Sequence, residues 1–399
     1  MSNKKIPLNV IPLIESEEHF SSYQRQFFDF SSKSDLSLYI HFPFCLDKCV
    51  FCPIKTKKYN SNLVKKYLFE LKREIVSILN NIRNSKVDNI HFGGGTPSLL
   101  KVCELDDILN TIQSYVDIEN AEITFEAHPT FITDEMMDYL SRIKNCTINF
   151  GVQSFDDIVL ESMNRHCNSI CMIRKICLAK EKNNKVGIDY ICDWSSSNYK
   201  SIDKDIRAIK LIQPEHISQY PLREYDVSNA CLHDSDTDDR KIKLNQYCES
   251  KIVDLGYQRY SISHYQKKGN YSHRYGRNQL YGGEWLGIGA NAYSYSRNCV
   301  YINPNVSEYI NGNFVCEQNI LNPKDRLIWE LIFLFRIFPL QRKEIVEKYG
   351  LVIVEFLDEI TKIFYDKGYV VSEQNLSLTW RGIINIDFIE KIINEKISL

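Results

Sequence analysis

The sequence predicts an α/β protein: a parallel sheet or partial barrel of six strand–helix repeats, followed by a helical, winged-helix-like end. Three observations predict it. Six short runs rich in β-branched and aromatic residues alternate with longer runs whose apolar residues recur at helical spacing. Residue types suited to chemistry fall just after those short runs, where parallel α/β folds hold their sites. From about residue 321 the pattern turns helical and ends in a short hairpin-like stretch, "YVVSEQNLSLTWRG".

The first strand is "LSLYIHF" (36–42), and "NLVKKYLFELKREIVSIL" (62–79) follows as a helix with Val64, Tyr67, Leu68, Leu71 and Ile75 on one face. "NIHF" (89–92) is a short strand ending in glycines, with a helix near 103–116. "EITFEA" (122–127) is a strand, "DEMMDYLSRI" a helix, and "TINFGVQ" (147–153) runs from strand into loop. A helix near 168–182, the strand "VGIDYI" (186–191), a helix near 201–212 and "HISQYPL" (216–222) complete six repeats. Residues 223–320 are rich in tyrosine, glycine and asparagine, with weaker periodicity. "PKDRLIWELIFLF", "RKEIVEKYG" and "VEFLDEITKIFYDKG" are helical. The expected division is therefore 1–35, an N-terminal extension; 36–222, the barrel; 223–320, a central region; and 321–399, the winged-helix-like domain.

With 399 residues the chain has room for two or three domains. An apolar fraction of 44% and a charged fraction of 25% are ordinary for a soluble protein, and a net charge of -2 argues against a general polyanion binder. No apolar stretch is long enough to span a bilayer, and the N-terminus lacks a signal-peptide core. A cytoplasmic protein is expected, and its thirteen cysteines are then free thiols. Cys167, Cys171 and Cys177 are read as core packing, since 167, 171, 174 and 178 share a helical face. The C-terminal domain lacks a strong basic stripe, so packing or substrate covering is favoured over DNA binding.

"HFPFCLDKCVFCPI" places Cys45, Cys49 and Cys52 in a C-x3-C-x2-C array directly after the first strand. A zinc site usually takes four ligands and a disulfide leaves one thiol over. Three thiolates suit three irons of a [4Fe–4S] cube and leave the fourth iron open to a small molecule. S-adenosylmethionine can chelate such an iron through its amino and carboxylate groups. A reduced cluster can then break the sulfonium C–S bond, giving a 5′-deoxyadenosyl radical that abstracts hydrogen from unreactive C–H bonds.

"YIHFPFCLDKCVFC" resembles the cluster loop of radical S-adenosylmethionine enzymes. It is specifically similar to the oxygen-independent coproporphyrinogen III oxidase family, which includes a heme chaperone branch. The resemblance implies a partial (β/α)6 TIM-like barrel in which Cys45, Cys49 and Cys52 hold the cluster. It places Phe51 near the adenine and Tyr39 near the sulfonium, and it covers His41 as well. In "HFGGGTPSLL", Gly94, Gly95 and Thr96 match the segment that grips the methionyl part of the ligand, where glycines let backbone approach closely. Glu126 in "EITFEAHP" matches the carboxylate that takes the methionyl ammonium. Gln153 in "NFGVQSF" and Asp189 in "GIDY" match ribose contacts, and Arg165 in "MNRH" pairs with the ligand carboxylate. Tyr39 and Glu126 are the residues it sets closest to the reaction. "WLGIGANAYS" resembles the family's L-G-x-G-x-x-A segment. The resemblance spans roughly 36–295, with a weaker echo beyond.

The chain departs from the family in three places. The oxidase has a further cysteine two residues past the third; here that residue is Ile54. Its G-L-P after strand five is replaced by "ICDWSSSNYKS". The chaperone's H-N-x-x-Y-W reads "RNQLYGG", with Arg277 at the histidine. A third branch, methyltransferases and cyclopropane-forming relatives, binds two S-adenosylmethionines and acts on aromatic carbons. Tyr260, Tyr265, Tyr275 and Trp285 suit stacking on such a flat ring, or an ordinary domain interface. The expected function is a radical enzyme acting on a tetrapyrrole or other aromatic substrate, with an electron donor such as flavodoxin or ferredoxin. The alternatives are the methyltransferase, a heme carrier with little turnover, and a zinc-dependent or transcriptional module.

Overall fold

The computed structural model describes residues 21–24, 36–83, 85–222, 238–267, 273–296 and 299–398. The expected N-terminal extension therefore lies, apart from 21–24, outside the described residues. The strands are β1 (Ser21–Gln24), β2 (Leu36–Phe42), β3 (Phe44–Cys45), β4 (Lys57–Lys58), β5 (Val87–Gly94), β6 (Glu122–Ala127), β7 (Cys146–Gln153), β8 (Lys185–Tyr190), β9 (His216–Gln219), β10 (Tyr257–Arg259), β11 (His264–Lys267), β12 (Trp285–Ile288), β13 (Tyr293–Ser296), β14 (Cys299–Ile302) and β15 (Val315–Ile320). All but β3 and β4 join one sheet, in the order β1-β15-β14-β13-β12-β2-β5-β6-β7-β8-β9-β11-β10.

Its centre is the expected parallel run β2-β5-β6-β7-β8-β9, paired strand to strand in chain order. Helices α1 (Ser61–Leu79), α2 (Val102–Gln113), α3 (Asp134–Leu140), α4 (Asp157–Ser162), α5 (Ser169–Glu181) and α6 (Tyr199–Ile212) make the crossovers. The strands are buried on both faces, as in "LSLYIHF", so they read as continuous apolar runs. The bulk of the core lies between this sheet and the helices, with Leu38, Ile90, Phe125, Ile148 and Ile188 at 0% exposure. Each such side chain contributes roughly 1.5–3 kcal/mol on burial.

The central region extends the sheet at both edges. β12 runs parallel to β2, and β13, β14, β15 and β1 follow antiparallel. At the other edge α7 (Asp238–Asp254) precedes the antiparallel pair β10 and β11. α8 (Arg274–Leu280) lies before β12, and α9 (Val306–Tyr309) between β14 and β15. Glu74, 3% exposed on α1, ties the parallel part to this extension. It accepts hydrogen bonds from Gly289 N at 2.7 Å, Asn303 Nδ2 at 2.8 Å and the Tyr309 hydroxyl at 2.6 Å.

The C-terminal part has its own core around α10 (Pro323–Leu334), α11 (Arg342–Tyr349), α12 (Val354–Asp366), α13 (Trp380–Ile384) and α14 (Ile386–Ser398). The expected hairpin in "YVVSEQNLSLTWRG" is present as a short antiparallel pairing: Val370 bridges Leu378, Thr379 N donates to Tyr369 O at 2.9 Å and Val371 N to Ser377 O at 3.1 Å. Asn375 near its tip bridges Gln341, and Thr379 then accepts from Gly382 N as the N-cap of α13. A correction concerns the cysteines. Cys167 and Cys177 pack against the core, but Cys171 is exposed, because the buried face of α5 is Met172, Ile176 and Ala179. Among the described residues every cysteine is free, and no helix is long and apolar enough to cross a membrane.

Candidate active site

The loop after β2 carries the three cysteines. It is fixed at both ends, by Lys57 N on Pro43 O and Tyr59 N on Cys45 O, each 2.8 Å. Val50 N donates to Met163 O and Asn164 Nδ2 to Lys48 O, so the loop also leans on the end of α4. Two cavity residues touch the thiols. The Thr96 hydroxyl donates to Cys45 Sγ at 3.3 Å and Arg165 Nη1 to Cys49 Sγ at 3.4 Å. Burial pushes the Cys45 thiol up and the Cys52 thiol up to about 11, so their thiolates form only against positive charge such as bound iron.

The glycine loop after β5 comes up beside it. Gly95 N donates to Phe42 O and Thr96 N to Phe44 O, both at 2.8 Å. A Cβ at Gly95 would sit 2.6 Å from Phe44 O, and Gly94 has φ +108, so both positions need glycine. At the end of β6 the Glu126 carboxylate takes a hydrogen bond from His91 Nε2 at 3.0 Å. At the end of β7 the register shifts between Gly151 and Gln153, which has φ +66; this bulge re-aims the Gln153 side chain. Arg165 is 6% exposed, donates to Gly151 O and keeps a buried Nε without a partner. Asp189 accepts from Asn149 Nδ2 at 2.8 and 2.9 Å; burial, then Glu126, pushes its carboxyl up to about 6.

These groups enclose one cavity of about 210 Å³, lined by Cys45, Cys49, Phe51, Cys52, Gly94, Gly95, Thr96, Glu126, Gln153, Arg165 and Asp189. Phe51 also packs edge-on against Trp194, at 6.4 Å between ring centres. An iron–sulfur cube takes each thiolate on a separate iron, so three thiols on one loop suit it. The three thiols, the close backbone approach at Gly95 and the spare donor of Arg165 fit a cluster with an amino-acid-bearing ligand beside it.

Tyr39 lies elsewhere. With Glu126 and Gly94 it borders a second cavity of about 400 Å³. The Tyr39 hydroxyl is 2.9 Å from His41 Nδ1, and burial raises its pKa well above the ordinary value. Ile54, Tyr275 and Trp285 also line this cavity. The other aromatic candidates do not. Tyr265 points into the main core at 0% exposure, and Tyr260 borders a separate cavity under Arg277, its hydroxyl 2.8 Å from His216 Nε2. Arg277 is likewise outside both cavities. Sequence reasoning missed His91, Asn149, His264, His273 and Arg336, all on the walls of the second cavity. His91 had a local signal, two residues before the glycine triplet, and Asn149 opens the quoted "NFGVQSF" stretch; nothing in their spacing set these residues on one wall.

Comparison with known proteins matches residues 39–206 to the radical SAM superfamily model. The chain is 26% identical over 349 residues to the heme chaperone HemW of Buchnera aphidicola subsp. Schizaphis graminum, covering 84% of this chain and 92% of that one. It is 27% identical over 192 residues to the oxygen-independent coproporphyrinogen III oxidase of Synechocystis sp., covering 47% of this chain and 41% of that one. Its fold is shared with Escherichia coli coproporphyrinogen III oxidase (HemN), with a TM-score of 0.74, 21% identity and about nine-tenths of each chain covered.

Proposed function

We propose that this chain, which belongs to the radical S-adenosylmethionine superfamily and there to the coproporphyrinogen III oxidase-like family that includes heme chaperones, is an enzyme acting on a tetrapyrrole or other aromatic substrate. The family implies a [4Fe–4S] cluster and S-adenosylmethionine. The observation that carries the proposal is that the three cysteines, the glycine loop, the strand-end residues Glu126, Gln153 and Asp189, and Arg165 after α4 line one cavity, which meets an aromatic cavity at Gly94 and Glu126.

Cys45, Cys49 and Cys52 would hold the cluster. When bound and reduced, it supplies the electron that opens the sulfonium C–S bond of S-adenosylmethionine and gives a 5′-deoxyadenosyl radical. The chain's own residues bind and orient. Glu126, fixed by His91, takes the ligand's ammonium; Arg165 offers its spare N–H to the carboxylate; Gln153 and Asp189 accept the ribose hydroxyls. Phe51 covers the adenine against Trp194. Tyr39, on the wall of the second cavity, faces the reaction from the substrate side. The four-part division at residues 35, 222 and 320, a cytoplasmic location and a flavodoxin- or ferredoxin-like electron donor belong to the same proposal.

The test is anaerobic reconstitution. Four irons and four sulfides per chain are expected, with 5′-deoxyadenosine formed from S-adenosylmethionine and dithionite. Absence of the cluster, or its retention in a Cys45→Ala, Cys49→Ala, Cys52→Ala variant, overturns the proposal. A heme carrier is the second reading, favoured by the near full-length similarity to a heme chaperone. Heme binding without any cleavage would establish it.

A further inference from the structure

Gln153 and Asp189, the two residues set against the ribose, stand on neighbouring strand ends. Their backbones are joined there. Gln153 pairs with Tyr190 across the ladder, and Ile191 N donates to Gln153 O at 2.9 Å. The backbone at Gln153 is not a relaxed one. Ser154 N donates back to Val152 O at 2.9 Å, which closes a three-residue turn around Gln153 at φ +66. A turn of that hand is uncommon and strained, and it persists only where its surroundings hold it.

The group that holds it comes from another element. Asp205, on α6 and 2% exposed, reaches both strand ends with one carboxylate. Its Oδ1 accepts from Phe155 N and, at 3.0 Å, from the Ser154 hydroxyl, the two residues directly after Gln153. Its Oδ2 accepts from the Tyr190 hydroxyl at 3.0 Å. Tyr190 directly follows Asp189. Successive side chains of a strand point to opposite faces, so a Tyr190 anchored on the helix side leaves Asp189 on the cavity side. The Ser154 hydroxyl also accepts from Asp156 N at 3.0 Å, so it donates and accepts at once. Burial pushes the Asp205 carboxyl up to about 7. The three donors oppose that rise, and Asp156, paired with Lys204 Nζ at 2.6 Å, adds to it. Both oxygens are thus engaged by strand-end donors, at a place where an apolar side chain would pack α6 without the desolvation cost.

We propose that Asp205 is a positioning residue for the nucleoside half of the ligand, setting Gln153 and Asp189 at the ribose hydroxyls by tying the ends of β7 and β8 to α6. It acts from behind the wall, since Gln153 and Asp189 line the cavity and Asp205 does not. This rests on the reading of the first cavity as the S-adenosylmethionine site.

The test is a thermodynamic cycle of protein and ligand, run at about pH 8, above the folded pKa of about 7. Reconstituted protein is titrated by equilibrium dialysis with S-adenosylmethionine and with its 2′,3′-dideoxy analogue, which lacks the ribose hydroxyls. Asp205→Asn keeps the size but turns one acceptor oxygen into a donor. It should weaken S-adenosylmethionine roughly tenfold and the dideoxy analogue less than about twofold. A general loss of structure would weaken both ligands alike. Tyr190→Phe removes one donor and keeps the ring, and about a threefold loss is expected, again confined to the ligand with hydroxyls. It decides the matter alone if Asp205→Asn does not fold. Equal losses for the two ligands, or an unchanged affinity for S-adenosylmethionine, overturn the inference and leave the cofactor site standing. Wild-type protein that carries its cluster but binds neither ligand overturns the reading of the cavity itself.

Discussion

The two cavities meet at Gly94 and Glu126 but are built on opposite plans. The smaller takes its walls from loops after parallel strands and from the turn after α4, all between Cys45 and Asp189, with thiols, glycine backbone and charged groups among them. The larger draws on residues from Tyr39 to Arg336, and much of its wall is tyrosine, tryptophan and imidazole rings. The first is made for one fixed, charged ligand. The second is a stacking slot whose chemistry depends on which distant elements pack together. Ile54 marks the border. Two residues after the last cluster cysteine, it already lines the second cavity. An apolar side chain therefore stands there where the oxidase has a cysteine.

The comparison predicts that the cavities can be disabled separately. The largest effect is on the cofactor side. The Cys45→Ala, Cys49→Ala, Cys52→Ala variant should lose all cluster iron and all 5′-deoxyadenosine formation, read by iron and sulfide analysis and chromatography. Next comes the joint between the sheet halves. Glu74→Ala leaves Gly289 N, Asn303 and Tyr309 without their shared acceptor, and should cost about 3 kcal/mol of stability in denaturant unfolding. An unchanged midpoint would mean that the extension holds to the barrel without it.

A third effect is on pH. In its proposed role Asp189 accepts ribose hydroxyls best as a carboxylate, and burial raises its folded pKa to about 6. Above that value the carboxylate is ready; as pH falls through it, binding has to expel a proton. Affinity for S-adenosylmethionine should therefore drop about tenfold between pH 7 and pH 5, and Asp189→Asn should flatten the dependence. A wild-type profile that stays level, by equilibrium dialysis, would place Asp189 away from the ligand. The smallest effect sits on the shared wall. His91→Phe keeps the ring beside Tyr275 but removes the hydrogen bond that orients Glu126. KM for S-adenosylmethionine should rise about five-fold with kcat and cluster content unchanged. A fall in kcat instead would put His91 on the substrate side.

Much of the frame was legible because it is local. "LSLYIHF" and "EITFEA" are strands at the residues expected, since apolar runs buried on both faces leave little room for another assignment. The glycine triplet was legible as a close approach, and Gly95 indeed lies against Phe42 O and Phe44 O. The hairpin within 369–382 was legible too, and its two arms pair through Thr379 N on Tyr369 O and Val371 N on Ser377 O. Cys171 was placed inward because helical phase alone does not say which face a neighbour covers. Tyr260 and Tyr265 show the same limit. Four aromatic residues in one stretch look alike in sequence, and packing sent two to the cavity, one to the core and one beneath Arg277.

The sequence by itself determined the cofactor side of this protein. Thiols at x3 and x2 spacing, glycines after a strand and single polar residues at successive strand ends need only the parallel sheet to bring them together, and the sheet is written in the same short runs. Tertiary structure alone decided the second cavity. His91, His273 and Arg336 lie up to 245 positions apart in the chain, as the numbers 91 and 336 show. They share a wall only because the extended sheet and the C-terminal helices pack there. No local spacing encodes that, because the energy that fixes it is the burial of apolar faces belonging to other residues.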